Sequence, residues 1–319
     1  MDARAGRAGK DTARVVSRQP DPLAVLARVP SLAAASRRVS ELPGGLTNRN
    51  FKVTTPDGVF VARVFSDDAG LLAIDRDHEY RNSLIAAAAG VGAPVIEYRP
   101  ADRVLVLGFL DGKTLTNSDV AEPATLDRIA VACRTLHEAG RFVCDFDMFD
   151  VQARYLAAAS GAGIAIPAGY DKLTPAFAAA RDALGVRAEG TVPCNNDLLA
   201  ANFIDNGERV WLIDYEYSGN NDACFELGNI AGECGLSADE LAALVTAYYG
   251  RARRSRIARA ELFRLVSRYG WTLWGAIQHA ASPLDFDFWP WTMERFDVAA
   301  SGFTSASFAG LLSGVQDED

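Results

Sequence analysis

Cysteine is sparse and unpatterned in this chain: Cys133, Cys144, Cys194, Cys224 and Cys234 form an odd set of five without CxxC spacing. That excludes a disulfide-stapled scaffold and a zinc ribbon, and predicts reduced thiols in a cytoplasmic protein. Histidine is scarcer still, and His78 and His279 lack the spacing of a metal pair. His137 ends the stretch Leu136-His137-Glu138-Ala139-Gly140, where a helix-end histidine packs or caps. No apolar run reaches roughly 18 residues, so no membrane span is expected. Residues 1–20 are arginine-rich without an apolar centre, the pattern of a disordered basic tail rather than a secretory signal. A basic excess is also lacking. With 41 acidic against 32 basic residues, the net charge is −9. That argues against a nucleic-acid binder, which needs a basic face to displace counterions. A small anionic ligand stays open, because a few placed cations can hold one.

What the sequence does have is apolar material: 49% of its 319 residues are hydrophobic, enough for a sizeable core in two domains or one two-lobed fold. Phe51 to Thr54 and Val59 to Phe65 are β-rich runs joined by Pro56-Asp57-Gly58, a hairpin signal. Asp75 to Ala89 predicts a helix with Glu79, Leu84 and Ile85 on its faces and Gly90 as its stop. Strands are expected at Pro94 to Tyr98 and Arg103 to Phe109. From Pro123 the texture turns to Ala/Leu-rich helical periodicity, interrupted by short β-type pieces at Phe203 to Asp205 and Val210 to Ile213 around the turn Asn206-Gly207. The expected organisation is a basic tail (1–20), a β-rich lobe (21–110), a helical lobe (111–313) and an acidic tail (314–319). Arg251, Arg253, Arg254, Arg256 and Arg259 predict a solvated helix start.

Chemistry concentrates in Asn195-Asn196-Asp197-Leu198-Leu199-Ala200-Ala201-Asn202, followed by Asp214 in Ile213-Asp214-Tyr215-Glu216. An Asp, an Asn after D-x4-N spacing, and a second Asp after the next strand suit phosphoryl transfer. One carboxylate handles the attacking hydroxyl while the other two side chains hold magnesium. A polar loop beside a hairpin is the competing reading. Gly44-Gly45-Leu46-Thr47-Asn48 precedes the first predicted strand and can set backbone N–H groups over phosphates. Arg63 supplies a strand cation, and Glu79 a carboxylate to hold it. An exposed strand arginine and a solvated helix glutamate are the alternatives for those two residues.

In these motifs the sequence resembles the choline/ethanolamine kinase family, within the aminoglycoside-phosphotransferase-like enzymes that share the protein-kinase fold. The resemblance runs from Leu42 to Phe296 and includes Phe225-Glu226-Leu227-Gly228-Asn229 and Trp271-Thr272-Leu273-Trp274-Gly275-Ala276-Ile277-Gln278. It implies an α+β two-lobed fold, with a small antiparallel β-lobe and a large helical lobe. ATP would be held by Gly44, Gly45, Thr47, Asn48, Arg63 and Glu79, with adenine at the hinge residues Phe109 and Leu110. Asp197 would be the base, Asn202 and Asp214 the magnesium ligands, and Glu216 a support for the metal. Asn195 departs from the family, which has histidine there. The implied acceptor is choline, caged by Tyr217, Glu233, Trp271, Trp274, Phe286 and Trp291, since a trimethylammonium group is recognised by aromatic faces. Phe288 and Trp289 belong to the same aromatic cluster. Ethanolamine or another amino-alcohol, an aminoglycoside, and a pseudokinase created by Asn195 are the alternative readings.

Overall fold

A computed structural model describes residues 21–65, 69–72 and 74–318; the predicted basic tail, 1–20, lies outside the described residues. The small lobe opens with α1 (Pro22–Leu26), capped by the Asp21 carboxylate, which accepts the Leu23 N–H at 3.0 Å. The first strand, β1 (Arg38–Leu42), precedes the glycine stretch. That stretch is therefore the turn into β2 (Asn48–Thr55) and not the lead-in to the first strand. After the Pro56-Asp57-Gly58 turn comes β3 (Gly58–Phe65), paired antiparallel with β2 from Asn48↔Phe65 to Thr55↔Gly58. Then come α2 (Ala69–Leu72), α3 (Arg76–Ala88), β4 (Val95–Arg99) and β5 (Val104–Gly108). The strands form one sheet in the order β1-β2-β3-β5-β4. Its buried face, Phe51, Val53, Ala62, Val104 and Val106, packs on Val25, Leu26, Val29 and Leu32.

Helix α3 forms where expected, but its buried face is Glu79, Asn82, Ser83 and Ala86, while Leu84 is 40% exposed. These four positions have the i, i+3, i+4, i+7 spacing of one helical stripe. The stripe is polar because it faces the cleft and the large lobe. Asn82 donates to the Ser218 carbonyl at 3.2 Å and accepts the Val143 N–H at 3.1 Å.

The large lobe holds β6 (Lys113–Thr114), α4 (Asn117–Val120), α5 (Pro123–His137), α6 (Met148–Gly161), α7 (Thr174–Val186) and β7 (Val192–Cys194). The expected hairpin is present as β8 (Phe203–Asp205) and β9 (Val210–Leu212), and β10 (Gly219–Asn221) comes next. Helices α8 (Ala223–Cys234), α9 (Ala238–Tyr249), α10 (Arg254–Ala281), α11 (Phe288–Thr304) and α12 (Phe308–Gly314) complete it. Val315 is 3% exposed, so packing extends one residue past α12. None of the five cysteines is paired, and no helix among the described residues is long and apolar enough to cross a membrane. Arg259 corrects the expectation of a solvated arginine run. It is buried, and its guanidinium donates to Asp222 at 2.8 Å and to the Leu184 carbonyl at 3.0 Å.

The long helix α10 crosses α8 at Gly228, where a Cβ would press on the Ala260 carbonyl and lie 2.8 Å from the Arg264 nitrogen. Both are backbone atoms and cannot swing aside. Gly228→Ala is expected to lower stability by about 1–3 kcal/mol, the usual cost of overpacking. Urea unfolding checks this, and an unchanged midpoint would mean the helices part freely at this crossing.

Candidate active site

The candidate site lies between the lobes, and a chain of charges crosses it. Arg63, buried on β3, donates to Glu79 of α3 at 2.7 Å and to Asp214 of the large lobe at 2.5 Å. Arg76, at the start of α3, pairs with Glu79 at 2.7 Å and with Glu216 at 3.1 Å. Its second guanidinium nitrogen donates to Asn48 Oδ1 at 2.8 Å, while Asn48 Nδ2 donates to Glu216 at 2.8 Å. Burial works against the Arg63 charge, but Asp214, Glu79 and Glu216 outweigh it and hold the group firmly protonated. Burial first, and then the Asp214 charge, push the Glu216 carboxyl upward. Glu216 thus faces the glycine loop and Arg76. Sequence reasoning missed Arg76, whose only sequence signal is its position three residues before Glu79.

The glycine loop is shaped by its two glycines. Gly44 has φ +99°, and a side chain on Gly45 would strike the Asn48 carbonyl. Thr47 and Asn48 come next, Asn48 buried between Arg76 and Glu216. At the expected hinge, the Phe109 N–H is spent on the Val59 carbonyl at 3.1 Å and its ring lies 3.9 Å beneath the Lys52 ammonium. Leu110 is half-buried beside it.

Asp197 is half-buried on the loop after β7. Burial, reinforced by Glu233, Asp214 and Glu216, pushes its carboxyl well above the usual carboxylate range, against the opposing charge of Arg295. Asn202 donates its amide to the Asp197 carbonyl at 2.8 Å, which leaves its side-chain oxygen as a metal donor. That oxygen and the Asp214 carboxylate are hard ligands, the kind a magnesium ion takes. Asp214 has φ +64° and Asn196 has φ +69°, two left-handed non-glycine residues flanking the site.

The loop carrying Asp197 is held from beneath. Glu226, fully buried in the first turn of α8, accepts the N–H of Asn195 at 2.8 Å and of Asn196 at 2.7 Å. Asn229 accepts the Leu198 N–H at 2.9 Å. His137 lies behind, 3.6 Å from Cys194 Sγ and 3.8 Å from Glu226, with its other ring nitrogen 2.8 Å from the Tyr248 hydroxyl. It is buried there with its ring edge-on to Tyr248, the packing expected of a helix-end histidine. Asn195 itself bridges two loops: its amide donates to the carbonyls of Ile213 (3.1 Å) and Asp214 (2.9 Å), and its oxygen accepts the Asp197 N–H at 3.1 Å.

Trp271 and Trp274 are buried on one face of α10. The Trp274 indole donates to the Tyr217 hydroxyl at 2.7 Å and its ring lies 5.0 Å from Trp291 and 5.8 Å from Phe288. Tyr217 meets Trp271 edge-on at 4.9 Å, and the Trp271 N–H is buried with no partner among the described residues. Glu233 sits behind this wall. Its carboxylate is paired with Arg295, whose guanidinium lies 3.2 Å over Trp291, and with Arg268 at 3.8 Å. Phe286 is 45% exposed on the loop before α11, packed edge-on against Phe288, at the rim of the cluster. Trp289 packs on His279 instead.

The family model described as choline/ethanolamine kinase matches residues 39–248. A solved choline/ethanolamine kinase family protein from Mesorhizobium loti superposes with a TM-score of 0.81 at 31% identity, covering 92% of this chain and 97% of the other. Ethanolamine kinase 2 of Rattus norvegicus is 26% identical over 82% of this chain and 74% of its own length. Protein LicA of Haemophilus influenzae is 26% identical over 80% and 77%.

Replacing Asn195 by alanine strands two carbonyls and one N–H near the buried loop. Asn195→Ala is therefore expected to cost about 1–3 kcal/mol of stability, read by urea unfolding. No loss would show that the bridge between the loops carries no weight.

Proposed function

Because the chain belongs to the choline/ethanolamine kinase family of alcohol-accepting phosphotransferases, we propose that it transfers the γ-phosphoryl group of ATP to the hydroxyl of choline, giving phosphocholine and ADP. The observation that carries the choline reading is the aromatic wall of Trp271, Trp274, Trp291 and Tyr217, because a quaternary ammonium offers no hydrogen-bond donor and is recognised by ring faces. The unpartnered Trp271 N–H supports a site that takes an acceptor oxygen, since buried donors are normally satisfied. Ethanolamine is the second reading. Its primary ammonium would draw on a carboxylate, and the Glu233 oxygen that has no hydrogen-bond partner is the observation that favours it.

Asp197 takes the hydroxyl proton as the acceptor oxygen bonds to the γ-phosphorus and the bond to the ADP oxygen breaks. Asn202 and Asp214 hold magnesium, which when bound neutralises charge on the phosphates. Arg63 steadies the phosphates, Glu79 and Arg76 fix its position, and the N–H groups of Gly44 to Asn48 cover them. Phe109 and Leu110 border the adenine. The two-loop bridge made by Asn195 supports an active enzyme over a pseudokinase, because asparagine keeps a donor and an acceptor at this position. The free thiols fit a reducing, cytoplasmic setting.

ADP release with choline, ethanolamine or no acceptor tests the reading. Choline is expected to support the highest kcat/KM, and turnover with ethanolamine alone would replace it as acceptor. Asp197→Ala should lower turnover by about 10²–10⁴-fold with nucleotide binding retained. Surviving turnover would remove Asp197 as the base. Trp274→Ala should weaken choline by about 0.5–2 kcal/mol, seen as a raised KM. An unchanged KM for choline would take Trp274 out of the cage.

A further inference from the structure

Trp271, Trp274 and Gln278 succeed one another on one face of α10, at i, i+3 and i+7. The two tryptophans belong to the proposed acceptor wall, so any coupling through this face rests on that reading. Gln278 is 4% exposed, and its amide donates to the Leu46 carbonyl at 3.0 Å. Leu46 lies in the middle of the glycine loop, and its side chain packs on the large-lobe core. Two residues on, Asn48 is tied to Glu216 and Arg76. The loop is thus fastened to the far side of the cleft at two points, unlike a flap that moves with its own lobe. Gln278, Ser282, Pro283 and Leu284 line a cavity of about 70 Å³ together with Leu46 and Thr47 of the loop.

We infer that Gln278 is a positioning residue that couples the two substrates. An acceptor that orders the tryptophan face of α10 also fixes the amide that holds the Leu46 carbonyl, and with it the N–H groups aimed at the phosphates. The nucleotide then binds more tightly with the acceptor present, and by linkage the acceptor binds more tightly with the nucleotide present.

Calorimetric titration of magnesium and a non-hydrolysable ATP analogue, with and without saturating choline or ethanolamine, reads this coupling as a ratio of dissociation constants. Wild type is expected to give a ratio of about 2–12, the worth of one neutral hydrogen bond. Gln278→Met keeps the length and volume of the side chain without the donor. It is expected to bring the ratio to one while each ligand alone is still bound, and the Leu46 carbonyl left without a donor lowers the thermal midpoint without unfolding the protein. Gln278→Glu, which sets an acceptor against the Leu46 carbonyl, is the second variant should the first fail to fold, and it too must abolish the ratio. A wild-type ratio of one, or the full ratio kept in either variant, overturns the inference. Wild type that binds nucleotide but neither amino-alcohol overturns the acceptor reading beneath it, a result seen before any variant is made.

Discussion

One buried arginine joins the two halves of the molecule. Arg63 stands on the small-lobe sheet with its guanidinium between Glu79 of its own lobe and Asp214 of the other, so the position of the sheet and the position of Asp214 are one geometric fact. Such buried pairs add little net stability, because desolvation offsets most of the attraction, while losing one partner costs about 3–5 kcal/mol. Their effect is to define one arrangement. Arg76 extends the chain of charges to Glu216 and Asn48, and through Asn48 to the glycine loop. The cleft is therefore bridged by polar contacts beside an apolar seam, in which Leu72, Ile74, Ala86 and Val91 of the small lobe join the large-lobe core while the sheet keeps a core of its own.

The loop that carries Asp197 depends on a second buried carboxylate. Glu226 takes two successive backbone N–H groups, of Asn195 and Asn196, and so fixes the loop at its sharpest point, where Asn196 turns left-handed. Asn195 then links that loop to the Asp214 turn from above. Where the resemblance implies histidine, Asn195 donates to two carbonyls and accepts one N–H.

The hairpin, α3 and the β8–β9 turn were legible because each has a local cause: Pro56-Asp57-Gly58, the Asp75 cap, and Asn206-Gly207. The α+β two-lobed architecture followed from the change in texture after Pro123 and from the motif resemblance. Strand β1 was not legible, since Arg38–Leu42 is largely exposed and polar, and its pairing with β2 is set by the partner strand. The buried face of α3 misled for the opposite reason: Glu79, Asn82 and Ser83 are inside because the cleft satisfies them, and no apolar period announces that. Arg259 misled likewise and Arg76 was missed, as their partners Asp222 and Glu216 are distant in sequence. The grouping of Trp271, Trp274 and Tyr217 was anticipated, whereas the pairing of Glu233 with Arg295 and Arg268 emerged only from the crossing of α8, α10 and α11.

Everything proposed for the cleft requires a competent phosphotransferase site built with asparagine at position 195. The most direct test monitors phosphorus by NMR in a mixture of ATP, magnesium and choline, comparing wild type with Asn195→His. A phosphomonoester resonance is expected to grow with wild type, at a rate changed little by histidine. No product with wild type, together with product from Asn195→His, would contradict a competent site and make the natural chain a pseudokinase.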